Sequence, residues 1–205
     1  EQHRERQREL AESRARLQAL QARIRPHFLF NSMNTIASLT RVDADLAEQV
    51  VQDLSDLFRA TLSNAQELST LAREFELAAG YLRIEGQRLG ERLRVDWDVD
   101  ELPREARLPA MLLQPLLENA VYHGIEPATD GGEVTISGRY RDGVINLAVR
   151  NTLPADEAQR QRPGNQMAQE NVRERLEATF GSAGGMVVGR VDGCYQVRLH
   201  FPAGA

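Results

Sequence analysis

The chain has 205 residues, 41% of them hydrophobic and 27% charged, with a net charge of −5. That is enough for one or two domains with a buried core, and it is the wrong balance for a dedicated nucleic-acid binder, which carries a basic excess. One cysteine, Cys194, excludes an internal disulfide and a thiolate metal cluster, and 25 basic residues that are all arginine exclude a lysine-dependent P-loop and Schiff-base chemistry.

No run approaches the ~18 apolar residues of a membrane span, and there is no secretory signal. The first residues already lie in a charged helical pattern. The expectation is either the soluble end of a longer protein, anchored in a membrane upstream, or a start placed arbitrarily within a helix. His3, Leu10, Leu17 and Ile24 recur every seven residues, with Leu20 near the intervening position. This reads as a short dimeric coiled-coil stem or as an exposed single helix. The helical pattern continues through Phe28, Phe30, Met33, Ile36 and Leu39, and Pro26 inside it predicts a kink. Directly after that proline stands His27, whose imidazole can act as nucleophile, base or ligand. Asp43 predicts the N-cap of a second helix carrying Leu46, Val50, Leu54, Leu57, Phe58 and Leu62. The short connection over 40–42 predicts an antiparallel hairpin, and two hairpins complete a four-helix bundle across a dimer.

Ser63 to Ser69 reads as a connection. Thr70 predicts the cap of a third helix, bearing Leu71, Phe75, Ala78, Leu82 and Ile84 and ending near Gly90. Alternation over 94–99 predicts a half-buried strand. Pro109 predicts the opening of a fourth helix that runs through His123 and closes at Gly124. Strands over 133–139 and 144–149 are joined through Asp142-Gly143, and strands over 186–191 and 195–201 through Asp192-Gly193. Between these hairpins, the polar stretch 152–169 reads as a mobile loop and 171–180 as a helix ending at Gly181. The expected fold class is α+β. Residues 1–66 form the stem and dimeric helical hairpin, and 67–205 an α/β sandwich whose mixed sheet is covered by helices on one face.

The second conspicuous segment is Leu112-Leu113-Gln114-Pro115-Leu116-Leu117-Glu118-Asn119-Ala120-Val121-Tyr122-His123-Gly124. On a helix, Asn119 and His123 share a face one turn apart. Taken alone, that face is as compatible with a polar edge meeting solvent as with a site.

Together the motifs resemble a known family. Pro26-His27-Phe28-Leu29-Phe30-Asn31 with Asn34 is similar to the phosphoacceptor motif of the LytS-type sensor histidine kinases. Leu113 to Ala120 with His123-Gly124 is similar to their N-box. Leu82, Ile84, Glu85 and Arg88 resemble the segment between the two, and Asn171 to Leu176 with Phe180-Gly181 the closing helix. Within the family, the subgroup resembled is that of the alginate and twitching-motility sensor AlgZ (FimS).

The resemblance implies a homodimeric hairpin followed by a Bergerat-type ATP-binding domain, with ATP and Mg²⁺ as cofactors. It implies the cytoplasmic portion of a bacterial inner-membrane protein, with a cognate response regulator of LytTR type as partner and no direct contact with nucleic acid. His27 would be the phosphoacceptor. Glu118 would be the acid beside the site, holding a metal-bound water or polarising His27. Asn119 would ligate Mg²⁺ carried by ATP, and His123 would line the nucleotide pocket. Asn151 would take the adenine-reading position, with Gly164, Asn171 and Arg175 around the phosphates; for Arg173 and Arg175 a solvated helix face is the alternative. Asn31 would orient the His27 ring or be a plain surface residue.

The pattern departs from the family at two places. The usual Asp-x-Gly-x-Gly reads Asn151-Thr152-Leu153-Pro154 and onward here, and the second glycine box, Gly164-Asn165-Gln166-Met167-Ala168-Gln169, keeps only its first glycine. Glycines let backbone N–H groups close on phosphates, so the nucleotide cradle is expected to be narrowed. Two functions remain: a histidine kinase acting on a response regulator, or a degenerate scaffold or phosphatase with weak or no ATP binding. A Bergerat-type ATPase ranks last, because it leaves the His27 helix without a purpose.

Overall fold

The computed structural model describes residues 25–63, 67–154 and 164–204; the heptad-patterned stem lies outside them. These residues fall into two compact units, parted between Asn64 and Ala65.

The first unit is a helical hairpin of α1 (Pro26–Leu39) and α2 (Ala44–Leu62). Pro26 does not kink a continuing helix. Arg25 before it is extended (φ −61°, ψ 120°), as a residue preceding proline prefers, and Pro26 occupies the first turn, where its missing N–H has no helical partner to lose. Asp43 caps α2 as expected, its Oδ1 accepting from the Leu46 N–H at 3.0 Å. Ala47, Val50, Leu54 and Leu57 form the buried stripe of α2. Other apolar residues stay outside: Phe30 is 70% and Met33 54% exposed.

In the second unit, β1 (Leu68–Thr70) pairs antiparallel with β3 (Arg107–Pro109). The Thr70 hydroxyl caps α3 (Leu71–Leu89) by accepting from the Arg73 N–H at 3.2 Å, and Gly90, at φ 58°, ends the helix. A five-stranded sheet follows the order β2-β4-β5-β7-β6, formed by β2 (Leu93–Asp98), β4 (Gly132–Arg141), β5 (Val144–Thr152), β6 (Gly185–Val191) and β7 (Cys194–Pro202). Only β2 and β4 run parallel; the other neighbours are antiparallel. Asp142-Gly143 and Asp192-Gly193 both take positive φ at the two turn positions, the geometry whose twist suits adjacent strands. Val134, Ile136, Ile145, Leu147, Val197 and Leu199 are buried on the helix-covered face. The architecture is α+β, as expected from the sequence.

The strand expected over 94–99 is β2, an edge strand with Trp97 half-buried and Val95 exposed. Two expectations need correction. Pro109 ends a strand instead of opening a helix; α4 (Gln114–Asn119) starts five residues later, with Pro115 in its first turn. The closing helix α5 (Gly164–Phe180) begins well before Asn171, so Gly164 to Gln169 is helical and not loop.

Candidate active site

The His27 ring is exposed on α1, with the Asn31 amide nitrogen 3.2 Å from Nδ1 one turn on. The contact couples ring tautomer to amide orientation. An amide N–H donating to Nδ1 leaves the ring proton on Nε2. With the amide turned over, its oxygen accepts from Nδ1–H, and Nε2 keeps the free lone pair.

The segment before α4 is shaped from a distance. Glu74, three residues into α3 and almost fully buried, accepts from the backbone N–H groups of Met111 (2.9 Å), Leu112 (2.9 Å) and Leu113 (3.3 Å). These donors would otherwise be orphaned at the helix start. Met111 takes φ 57°, a left-handed conformation that turns the chain from β3 into α4. Burial pushes the Glu74 carboxyl above its ordinary pKa of 4.5, against the opposing pull of those N–H groups and of Ser69. A raised folded-state pKa contributes stability that is complete below the unfolded value and is lost as pH rises through the folded one. Glu74→Gln is therefore expected to flatten that decline. It also leaves at least one of the three N–H groups without an acceptor, lowering stability at neutral pH by about 2 kcal/mol. Urea unfolding of both proteins across a pH series checks both effects.

After Asn119 the helix widens into a π-helical turn, Ala120–Ile125, closed by the Glu126 N–H donating to the Val121 carbonyl five residues back at 2.9 Å. Such turns recur at functional sites. Gly124 lies inside this turn and does not terminate the helix. A Cβ there would stand 2.2 Å from the Asn151 side chain, so the missing side chain is what lets Asn151 approach. Asn151 is buried and donates through Nδ2 to the Thr152 carbonyl at 2.9 Å. Glu118 accepts from the Gln114 amide at 3.2 Å. The His123 ring is half-buried and meets Tyr122 edge-on at 4.9 Å.

Asn119, Asn151, Leu116 and Val149 line a small pocket between α4 and the sheet, together with Gln169 of α5 and Tyr195 of β7. The Gln169 amide donates to the Tyr195 hydroxyl, joining the helix to the strand beside that pocket. Gln169 stands in the altered second glycine box. The pocket is small, about 10 Å³, far below the ~300 Å³ at which ligand pockets usually start.

Other expected residues sit elsewhere. The Arg175 guanidinium donates to the carbonyls of Ala110 and Met111, so it braces the turn before α4. Asn171 is exposed on α5, Gly164 is that helix's first residue, and His123 is not among the described residues lining the pocket. Arg88 bridges Glu85 (2.5 Å) and Glu126 (3.0 Å), tying the end of α3 to the end of the π-helical turn. Burial alone would lower the Arg88 pKa, and the two carboxylates, Glu85 first, more than reverse this. Sequence reasoning missed Glu74, Gln114, Gln169 and Tyr195. Glu74 had a signal: it is an acid on the same helical stripe as Leu71, Ala78 and Tyr81.

Residues 15–93 match the family model described as histidine kinase. The sensor histidine kinase YpdA of Escherichia coli K12 is 34% identical over 204 residues, covering 95% of this chain and 35% of that protein. The sensor protein LytS of Oceanobacillus iheyensis is 31% identical over 201 residues, covering 92% of this chain and 34% of that protein. Among solved structures, the histidine kinase domain of the Erythrobacter litoralis EL346 blue-light activated histidine kinase aligns with a TM-score of 0.49 at 18% identity, covering 94% of this chain and 93% of that one. The chain spans about a third of the length of the curated relatives it matches. Over most of its own length it is a homologue of the LytS-type and other sensor histidine kinases.

Proposed function

We propose that this chain is the kinase portion of a two-component sensor, which phosphorylates His27 with ATP and passes the phosphoryl group to an aspartate of a response regulator. The observation that carries the reading is the pairing of an exposed His27, held by Asn31, with a separate unit whose pocket is lined by the N-box Asn119. The family match implies use of ATP, generally with Mg²⁺. A neutral imidazole nitrogen attacks the γ-phosphorus, an N–P bond forms, the bond to the β,γ-bridging oxygen breaks, and ADP leaves while the ring gives up one proton to solvent. Asn119 would offer an amide oxygen to Mg²⁺, a hard ligand of the kind this ion prefers. Gln114 holds Glu118 beside it. With its Nδ2 engaged by Thr152, Asn151 keeps its Oδ1 to accept from an adenine amino group.

Incubation with γ-labelled ATP and Mg²⁺ tests this. The expected product is acid-labile, alkali-stable label on the protein; its absence overturns the kinase reading.

A second reading, a signalling scaffold or phosphatase that does not use ATP, is favoured by the Gln169–Tyr195 contact and by an asparagine at the adenine-reading position. Under either reading, the exposed Phe30 and Met33 on α1 favour pairing of two hairpins. Phe30→Glu with Met33→Glu is expected to convert a dimer to monomer in analytical ultracentrifugation, with the second unit still folded. A regulator of LytTR type and a membrane anchor upstream complete the proposed setting. Among the described residues no helix is long and apolar enough to cross a membrane.

A further inference from the structure

The five-stranded sheet has a second face, opposite the helices. There Ser137 on β4 pairs with Ala148 on β5, and Ala148 with Arg198 on β7. The small Ser137 and Ala148 and the longer side chains around them line a groove of about 470 Å³ on this face. Asn146, Ser137 and Gln196 are among its lining residues, as are Arg139, Arg141 and Arg198. Arg139 is already engaged, donating to Asp98 at 2.6 Å and to the Gly138 carbonyl at 2.7 Å. Arg141 and Arg198 are exposed and have no acidic partner among the described residues.

In a chain of net charge −5, two uncompensated guanidinium groups over a polar groove are a local reversal of sign. A guanidinium fork matches a carboxylate in a way no other side chain does. The amides of Asn146 and Gln196 add donors and acceptors along the same groove. We propose that this groove docks an acidic segment of a partner protein, whose carboxylates pair with Arg141 and Arg198. A nucleic acid suits it less: no described lining residue is aromatic, so bases have nothing to stack on. A bilayer is flat where this surface is hollow. A protein segment with locally clustered carboxylates fits both the shape and the sign.

The test is fluorescence anisotropy of a labelled oligoglutamate peptide with the whole chain at low salt. Wild type is expected to bind, and Arg141→Glu with Arg198→Glu to weaken binding at least tenfold. Arg41→Glu with Arg59→Glu, the same charge change placed on the helical unit, is expected to keep it. Thermal melts confirm that these exposed substitutions leave the fold intact. No binding by wild type, or equal loss in both double variants, overturns the proposal. So does binding of phosphatidylglycerol vesicles or a single-stranded oligonucleotide at the same arginines in place of the peptide.

Discussion

His27→Gln is expected to abolish acid-labile labelling of the protein while nucleotide affinity stays within about twofold. The size of the effect follows from chemistry: a neutral imidazole nitrogen forms the N–P bond, and a carboxamide has no comparable nucleophile at neutral pH. Its cleanness follows from placement. His27 is exposed on the helical unit, where it fills no core, and the Asn119 pocket is built entirely from the other unit. Glutamine keeps the helix propensity and a similar reach. The chain has four histidines, His3, His27, His123 and His200, so three remain in the variant as internal controls. Labelling with γ-labelled ATP, followed by acid and alkali treatment, reads the result. Label persisting on the variant would place the acceptor elsewhere.

Asn119→Ala is expected to weaken Mg²⁺-dependent nucleotide binding on the order of a hundredfold, at the upper end of what loss of a metal-orienting group costs. The residue is 6% exposed, where α4 meets the π-helical turn, and its amide lines the pocket. Truncation would remove the oxygen proposed to hold Mg²⁺ and also a packed polar group, so two readouts are needed. Calorimetric titration with a non-hydrolysable ATP analogue, with and without Mg²⁺, should show the Mg²⁺-dependent part lost. A thermal melt should show the unit still folded. An unchanged Mg²⁺ dependence in a folded variant would remove Asn119 from the site.

Local signals were read well, and distant ones were not. Asp142-Gly143 and Asp192-Gly193 announce their hairpins because both turn positions need positive φ, and Asp43 and Thr70 announce helix starts because their oxygens reach N–H groups three residues on. The 109–114 region misled for a non-local reason. Pro109 followed by an apolar run looks like a helix start, yet β3 pairs with β1 some forty residues earlier, and Glu74 on α3 takes the backbone donors that a helix would have used. Nothing within the segment reveals that. Likewise, Gly164 to Gln169 has no apolar period to mark it as helix, and Gln169 finds Tyr195 only once α5 lies beside β7.

The candidate site divides along the same line. His27 and Asn119 stand out in the sequence because each sits in a long motif with a chemical reason for its residue type, whereas Asn151 stands where a motif is broken. Arg175 was expected at the phosphates because a motif alone does not say which way a helix faces; its guanidinium instead holds the carbonyls before α4. The altered glycine boxes were also visible in sequence. Gln169, the last residue of the altered second box, donates to the Tyr195 hydroxyl beside the Asn119 pocket.

That contact is where the kinase account is most exposed, so nucleotide binding by the unaltered chain is its most direct test. Calorimetric titration with a non-hydrolysable ATP analogue in Mg²⁺ should give saturable binding with a Kd below about 1 mM, equivalent to roughly 4 kcal/mol, and weaker binding when Mg²⁺ is withdrawn. No saturable binding, with or without Mg²⁺, would contradict the account and leave the scaffold reading in its place.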